Sequence, residues 1–278
     1  MKRLTILCVS LLAISITIMQ IGIGKTQSGT EDFLQKTLPV SGGGTLLLDA
    51  AIGTVDVRTT PAGVATVRVA PQIKTDDAEE RQRLLANLVV DATQQQNDVT
   101  VTAKFRRETP DDERRQIRLH FEISVPENFN LDLNTVGAVT TGDIRGNVKV
   151  ATAGGSISLG NIEGTLTVDS AGGSVTAGGV MDSIQAETRG GSFTAYLSQQ
   201  PRSDSNISTS GGRIEMRLAQ TVGVELDAVT TTGRVTTDDP TLTESHSKRN
   251  TLQTSINGGG PKLVLRAADG SIRLRTQS

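Results

Sequence analysis

The middle of this chain repeats one phrase at a fixed interval of 18 residues, and few folds can accommodate that. The phrase reads Gly-Ala-Val-Thr-Thr-Gly-Asp-Ile from Gly137, Gly-Ser-Ile-Ser-Leu-Gly-Asn-Ile from Gly155 and Gly-Ser-Val-Thr-Ala-Gly-Gly-Val from Gly173. A fourth copy opens as Gly-Ser-Phe-Thr-Ala-Tyr at Gly191, and looser copies start at Gly212, Gly233 and Gly270, with spacings of 21, 21 and 37. An outlying relative, Gly-Thr-Val-Asp-Val-Arg, lies far upstream at Gly53. A constant period of this length in a strand-rich sequence is the mark of a stacked repeat.

Apolar residues occupy the same places in each copy. They are Val139, Ile157, Val175 and Phe193; Ile144, Ile162 and Val180; Val148, Leu166 and Ile184; and Val150, Val168 and Ala186. Between them stand Thr, Ser, Asp, Lys and Glu in the period-two alternation of strands with one buried face. Each repeat is expected to be two or three short strands, with Gly154-Gly155, Gly172-Gly173 and Gly190-Gly191 supplying positive φ at a corner. The expected fold is all-β: a single-stranded β-solenoid with rungs of about 18 residues, preceded by a small β region carrying one short helix. A sandwich of hairpins also turns at short intervals, but it does not require one residue class at fixed positions of a constant period.

The organisation expected along the chain is an export signal over 1–24, a polar tether over 25–36, an amino-terminal β region over 37–128, and repeats over 129–278 that continue from it. Lys2 and Arg3 precede an apolar run from Leu4 to Gly24, and Gly22-Ile23-Gly24 places small residues where a signal peptidase reads them. Cleavage near Gly24 is favoured over a retained anchor, because Gln20 and the hydroxyl residues lower the hydrophobicity of the run. The one cysteine, Cys8, lies inside it, so the exported part would contain no thiol or disulfide.

Strands are expected at Thr45 to Asp49 pairing with Thr54 to Arg58, then at Val64 to Val69, Leu88 to Asp91, Val99 to Phe105 and Ile117 to Val125. One helix is expected from Asp76 to Leu85, with Asp76 as N-cap and Glu79 completing a capping box. Arg106 to Arg115 is so rich in charge that it reads as a solvated loop. The last strands, Lys262 to Arg266 and Ser271 to Arg275, are expected to close the far end.

Val125-Pro126-Glu127-Asn128-Phe129-Asn130-Leu131-Asp132-Leu133, leading into Gly-Asp-Ile and Gly-Gly-Ser-Ile repeats, resembles the bacterial putative-adhesin family of β-helical domains. The likeness runs from about Leu38 to Leu274. It implies placement in the envelope or at the surface, with a non-enzymatic role, and brings no catalytic residues.

The position seven residues into the repeat reads Asp143, Asn161, Gly179, and the fifteenth reads Ala151, Asp169, Glu187. Asp169 and Glu187 are the one neighbouring acidic pair, the minimum that a polysaccharide lyase or hydrolase would use, although a solvated face explains them as well. His120 falls in a strand and His246 in a loop, without ligand spacing, and no metal or cofactor site is expected. The glycine-serine corners are followed by neither a helix nor a phosphate-loop lysine. A net charge of -2 favours no polyanionic partner, and without a basic stripe carrying aromatics nucleic-acid binding is not expected.

The functional expectation is an exported, periplasmic or cell-surface module, structural, adhesive or binding, with no catalytic, cofactor or metal residues. Its expected partners are an envelope polysaccharide or another envelope protein, and it would meet the membrane only through an uncleaved signal segment. The alternatives are a β-helix lyase or hydrolase, or an envelope-stress accessory that binds a membrane partner.

Overall fold

The computed structural model describes residues 32–106, 108–239 and 249–277. The expected export signal, the expected tether as far as residue 31 and His246 lie outside the described residues. Within them the chain forms 22 strands and two short helices, and the strands divide between two large mixed sheets of 11 strands each.

In chain order the strands before the repeats are β1 (Leu34–Pro39), β2 (Thr45–Ala50), β3 (Thr54–Thr60), β4 (Val64–Ile73), β5 (Leu88–Gln95), β6 (Asp98–Phe105) and β7 (Ile117–Pro126). The repeats then alternate between the sheets. The second sheet receives β8 (Asn130–Thr135), β10 (Val148–Thr152), β12 (Leu166–Ser170), β14 (Ile184–Thr188) and β16 (Ser205–Gly211). The first receives β9 (Val139–Thr141), β11 (Ile157–Leu159), β13 (Val175–Val180), β15 (Phe193–Leu197) and β17 (Ile214–Ala219). The chain ends with β18 (Val224–Thr230), β19 (Val235–Thr237), β20 (Thr251–Ile256), β21 (Lys262–Asp269) and β22 (Ile272–Gln277).

Each 18-residue copy therefore gives one strand to each sheet, and successive copies pair parallel and in register. Val150 stands beside Val168 and Val168 beside Ala186, while Ile157 lies between Val139 and Val175. A third column consists of single parallel bridges, Ile144 to Ile162 to Val180. Every apolar column read from the sequence is buried, and together they form one core between the sheets.

The corners are held from repeat to repeat by side chains. Asp143 accepts from the backbone N–H of Asn161 (2.7 Å), and Asn161 accepts from that of Gly179 (2.8 Å). Asn147 accepts from both the N–H and the hydroxyl of Thr165, each at 2.9 Å. The seventh-position column thus satisfies backbone donors that a corner would otherwise leave unpaired. The buried Thr152 hydroxyl donates to the Gly137 carbonyl (2.9 Å), which fixes the next corner.

The glycine pairs do not all act through positive φ. Gly173 and Gly191 have φ of +82° and +86°, but Gly155 does not adopt this conformation. A Cβ at Gly155 would instead fall against the backbone of Gly137 and Ala138, well inside the 3.0 Å limit of real contacts. What recurs is the close approach of one corner to the previous one.

Several expectations are corrected. Leu34 to Lys36, expected in the tether, pair antiparallel with β4 as part of β1. Strands β2 and β3 do not pair with each other, because the turn at Gly53 (φ +125°) sends them to different sheets. There they sit beside the first repeat, Leu48 against Leu133 and Val55 against Val139, so the outlying phrase at Gly53 is its immediate neighbour. Helix α1 spans Ala78–Leu85 with Asp77, not Asp76, as N-cap: the Asp77 carboxylate accepts from the N–H groups of Glu79 and Glu80. Asp111–Gln116 forms a second helix, α2, inside the stretch expected to be a loop. Its acids occupy the first turn and its arginines the last, which suits the helix dipole, but without an apolar stripe it has no amphipathic signature.

The far end also differs. Strands β21 and β22 do not close it: β21 pairs parallel with both β16 and β18, and β22 with both β17 and β19. The last residues in sequence are thus inserted inside the stack. The earlier β18 is pushed outward and is covered by the antiparallel β20, which protects the sheet edge.

Asp227 ties this end together, accepting from Arg266 and from Gln253 (3.1 Å). The Arg266 guanidinium holds its carboxyl below the ordinary value of 3.8. The folded chain therefore binds this proton less tightly than the unfolded chain does. The stabilisation is complete above the ordinary value and is lost as pH falls through the lowered one. Asp227→Asn is expected to lower stability at pH 7 by no more than about 1 kcal/mol, since both partners are partly exposed. Thermal melts should show the gap from the unaltered protein narrowing as the pH drops below 3.8.

Candidate functional site

A surface depression of about 550 Å³ lies on the outer face of the second sheet. Register creates it. Across neighbouring strands the outward residues run Asp49, Asn134, Ala151, Asp169, Glu187. Ala151, with Ala153 and Ala171 from the corners, keeps the floor low, while Lys104, Arg114 and Arg189 rise around it.

Helix α2 positions one wall. The Arg114 guanidinium lies 5.5 Å from the Phe105 ring centroid, and its Nε donates to the Thr109 carbonyl (2.9 Å). The same arginine reaches Asp111 at 3.9 Å. An arginine on an aromatic face keeps its outer edge available for hydrogen bonds.

Asp49 cannot serve as a proton donor here. It accepts from Lys104 (2.8 Å) and Asn134 (3.1 Å), and the lysine holds its carboxyl below 3.8. Asp169 and Arg189 line the depression without an ion pair among the described residues.

Asp169 and Glu187 are direct register partners, as the sequence implies, yet only Asp169 borders the depression. Both are exposed. A pair in this setting can bind a cation or a hydroxyl loosely.

His120 is occupied structurally, its Nδ1 2.9 Å from the Thr54 hydroxyl and its Nε2 3.4 Å from Glu122. No group of three or more His, Cys, Asp or Glu side chains converges among the described residues. Also among these residues, no helix is long and apolar enough to cross a membrane. The sequence did not single out Arg114, because α2 was read as a loop. Arg189 could have been found from its place just before the Gly190-Gly191 corner.

No protein family matches the chain, and no curated protein does. Solved structures with some likeness include a putative cell adhesion protein from Clostridium sporogenes, at TM-score 0.41 and 10% identity, covering 89% of this chain and 100% of that one. A putative adhesin from Bacteroides fragilis has a TM-score of 0.34 at 12% identity, covering 88% and 96%. A putative lipid binding protein from Parabacteroides distasonis has a TM-score of 0.31 at 9% identity over the same shares. Likeness at this level carries no weight for the function of this chain.

Proposed function

We propose that the chain is a single-stranded β-solenoid, exported and acting as a non-enzymatic binding or adhesion module of the bacterial cell envelope. The observation that carries this reading is the parallel pairing of successive strands from β8 through β16 in one sheet and from β9 through β17 in the other, with a single register shift between Thr176 and Gly179. Such a stack is held by its inward columns, which leaves the outward residues free to form a long, flat, polar surface. That geometry suits presentation to an extended partner more than enclosure of a small substrate. The apolar run at Leu4 to Gly24 supports export.

The lyase or hydrolase reading is less well supported, because Asp49 is tied to Lys104 and the Asp169 and Glu187 pair stands open to water. Fractionation of cells expressing the full chain tests the proposal. The protein is expected with the envelope and accessible to protease added to intact cells. Recovery of the mature protein in the cytoplasm would overturn the reading.

A further inference from the structure

A net charge of -2 points to no anion site, yet the fold gathers arginines on one face. Strands β17, β22 and β19 lie side by side on the first sheet, with Ile214, Ile272 and Val235 in register. The residues just before them, Arg213, Ser271 and Arg234, therefore form a row across three strands. Arg249 and Arg273 join that row around an open depression of about 420 Å³, which no described carboxylate lines.

Neutralisation is uneven across this face. Asp238 takes Arg273 (3.0 Å) and Arg275 (3.3 Å), and Glu215 takes Arg217 (3.2 Å). Arg213, Arg234 and Arg249 are exposed and form no ion pair among the described residues. Guanidinium groups gathered around one depression raise the local positive potential, which a bound oxyanion would lower.

The surroundings indicate what kind of anion. A second depression of about 490 Å³ shares Arg213 and Ser271 with the first and continues to Ser192 and Thr194, with Glu215, which is paired to Arg217, and Asp269 also on its wall. Beyond it the same outward positions carry Ser174 and Thr176, then Ser156 and Ser158. From β15 back to β11 this is an uncharged track of hydroxyls, advancing about 4.8 Å per strand. Among the described residues the exposed large apolar side chains are Leu47, Val89 and Val136, none of them on these strands, so the face offers no wedge for a lipid layer. Among the described residues of these strands the one outward ring is Tyr196, which falls short of the interleaved series on which nucleic-acid bases stack.

We propose that this face binds a linear acidic glycan, whose carboxylate or sulfate groups the arginines hold while its hydroxyls run along the Ser/Thr track. Guanidinium groups match such oxyanions bidentately. The proposal deepens the binding-module reading by naming its ligand class, and rests on that reading only for its biological setting.

Arg213→Ser/Arg234→Ser is the informative variant, because serine stands at the position of Arg213 in the copies beginning at Gly155, Gly173 and Gly191. The test is affinity electrophoresis of the exported chain in gels containing polygalacturonate, dextran sulfate or neutral dextran. Vesicles of phosphatidylglycerol and single-stranded oligothymidine serve as parallel probes. Retardation is expected in at least one acidic glycan and not in neutral dextran, with a loss of about tenfold or more in the double variant. Arg81→Ser/Arg118→Ser removes the same charge elsewhere and should keep full binding. Three results would overturn the proposal: no retardation by either acidic glycan, equal loss in the two double variants, or tighter binding to vesicles or oligothymidine. Envelope association that survives in the Arg213→Ser/Arg234→Ser variant alongside unchanged glycan retardation would reject the site and leave the module reading intact. A cytoplasmic chain that still binds acidic glycan through these arginines would do the reverse.

Discussion

Val168→Asp is expected to destabilise the protein by about 3 kcal/mol or more, the cost of placing a carboxylate where no partner exists. Val168 is 2% exposed and lies between Val150 and Ala186, within a core that is aliphatic at every neighbouring column position. For a chain of this size the loss corresponds to a melting point roughly 10 °C lower. Thr167→Asp, one residue away on the exposed face beside Lys149, is expected to stay within about 0.5 kcal/mol of the unaltered protein. Thermal melts of the two variants provide the check. Similar midpoints would mean that the inward and outward faces of β12 are wrongly assigned.

Gly191→Ala should lower stability by about 2 to 4 kcal/mol, through two effects that add. Its φ of +86° disfavours any Cβ, and an added Cβ would drive into the carbonyl of Gly173 on the preceding corner. The only relief is to separate the corners, which would strain the β13–β15 ladder that begins two residues later. Gly190→Ala is the contrasting case, with nothing within 4 Å of the added carbon and no positive φ. It should be neutral, or stabilising by up to about 1 kcal/mol through the reduced freedom of the unfolded chain. Denaturant unfolding of the two variants provides the check, since a shared decrease would point to general intolerance of the corner.

The periodic part of the fold was legible because periodicity and burial have the same cause. A residue such as Ile157 or Val168 recurs every 18 positions because its column must exclude water at every level. The ends were less legible, because there the contacts join distant segments. Nothing local marks β22 as the neighbour of both β17 and β19, and its residues read equally well as a closing strand. Helix α2 was missed because a six-residue helix with no buried side chain leaves no hydrophobic pattern. Its acid-then-base order was visible, and would have sufficed had charge been weighed as a helix signal.

The candidate sites divide in the same way. The neighbouring placement of Asp169 and Glu187 followed directly from the period. The arginine face did not, because Arg213, Arg234, Arg249 and Arg273 come from separate segments that the inserted β22 brings together. A trace of it was present: the looser copies replace Gly-Ser by Gly-Arg at Gly212 and Gly233. Net charge hid this, since it sums over the chain and not over one face.

Distances along one outward column of the first sheet test the stack most directly. Thr140, Ser158, Thr176, Thr194, Glu215, Arg273 and Thr236 follow one another on adjacent strands, so Arg273 is five strands from Thr140 and Thr236 is six. Paired spin labels, at Thr140 with Arg273 and at Thr140 with Thr236 in a Cys8→Ser background, should give backbone separations of about 24 Å and about 29 Å. The residue later in sequence is thus predicted to be the nearer one. A shorter distance to Thr236 than to Arg273, or separations that do not grow steadily when Thr194 and Glu215 are labelled in turn, would contradict the stack.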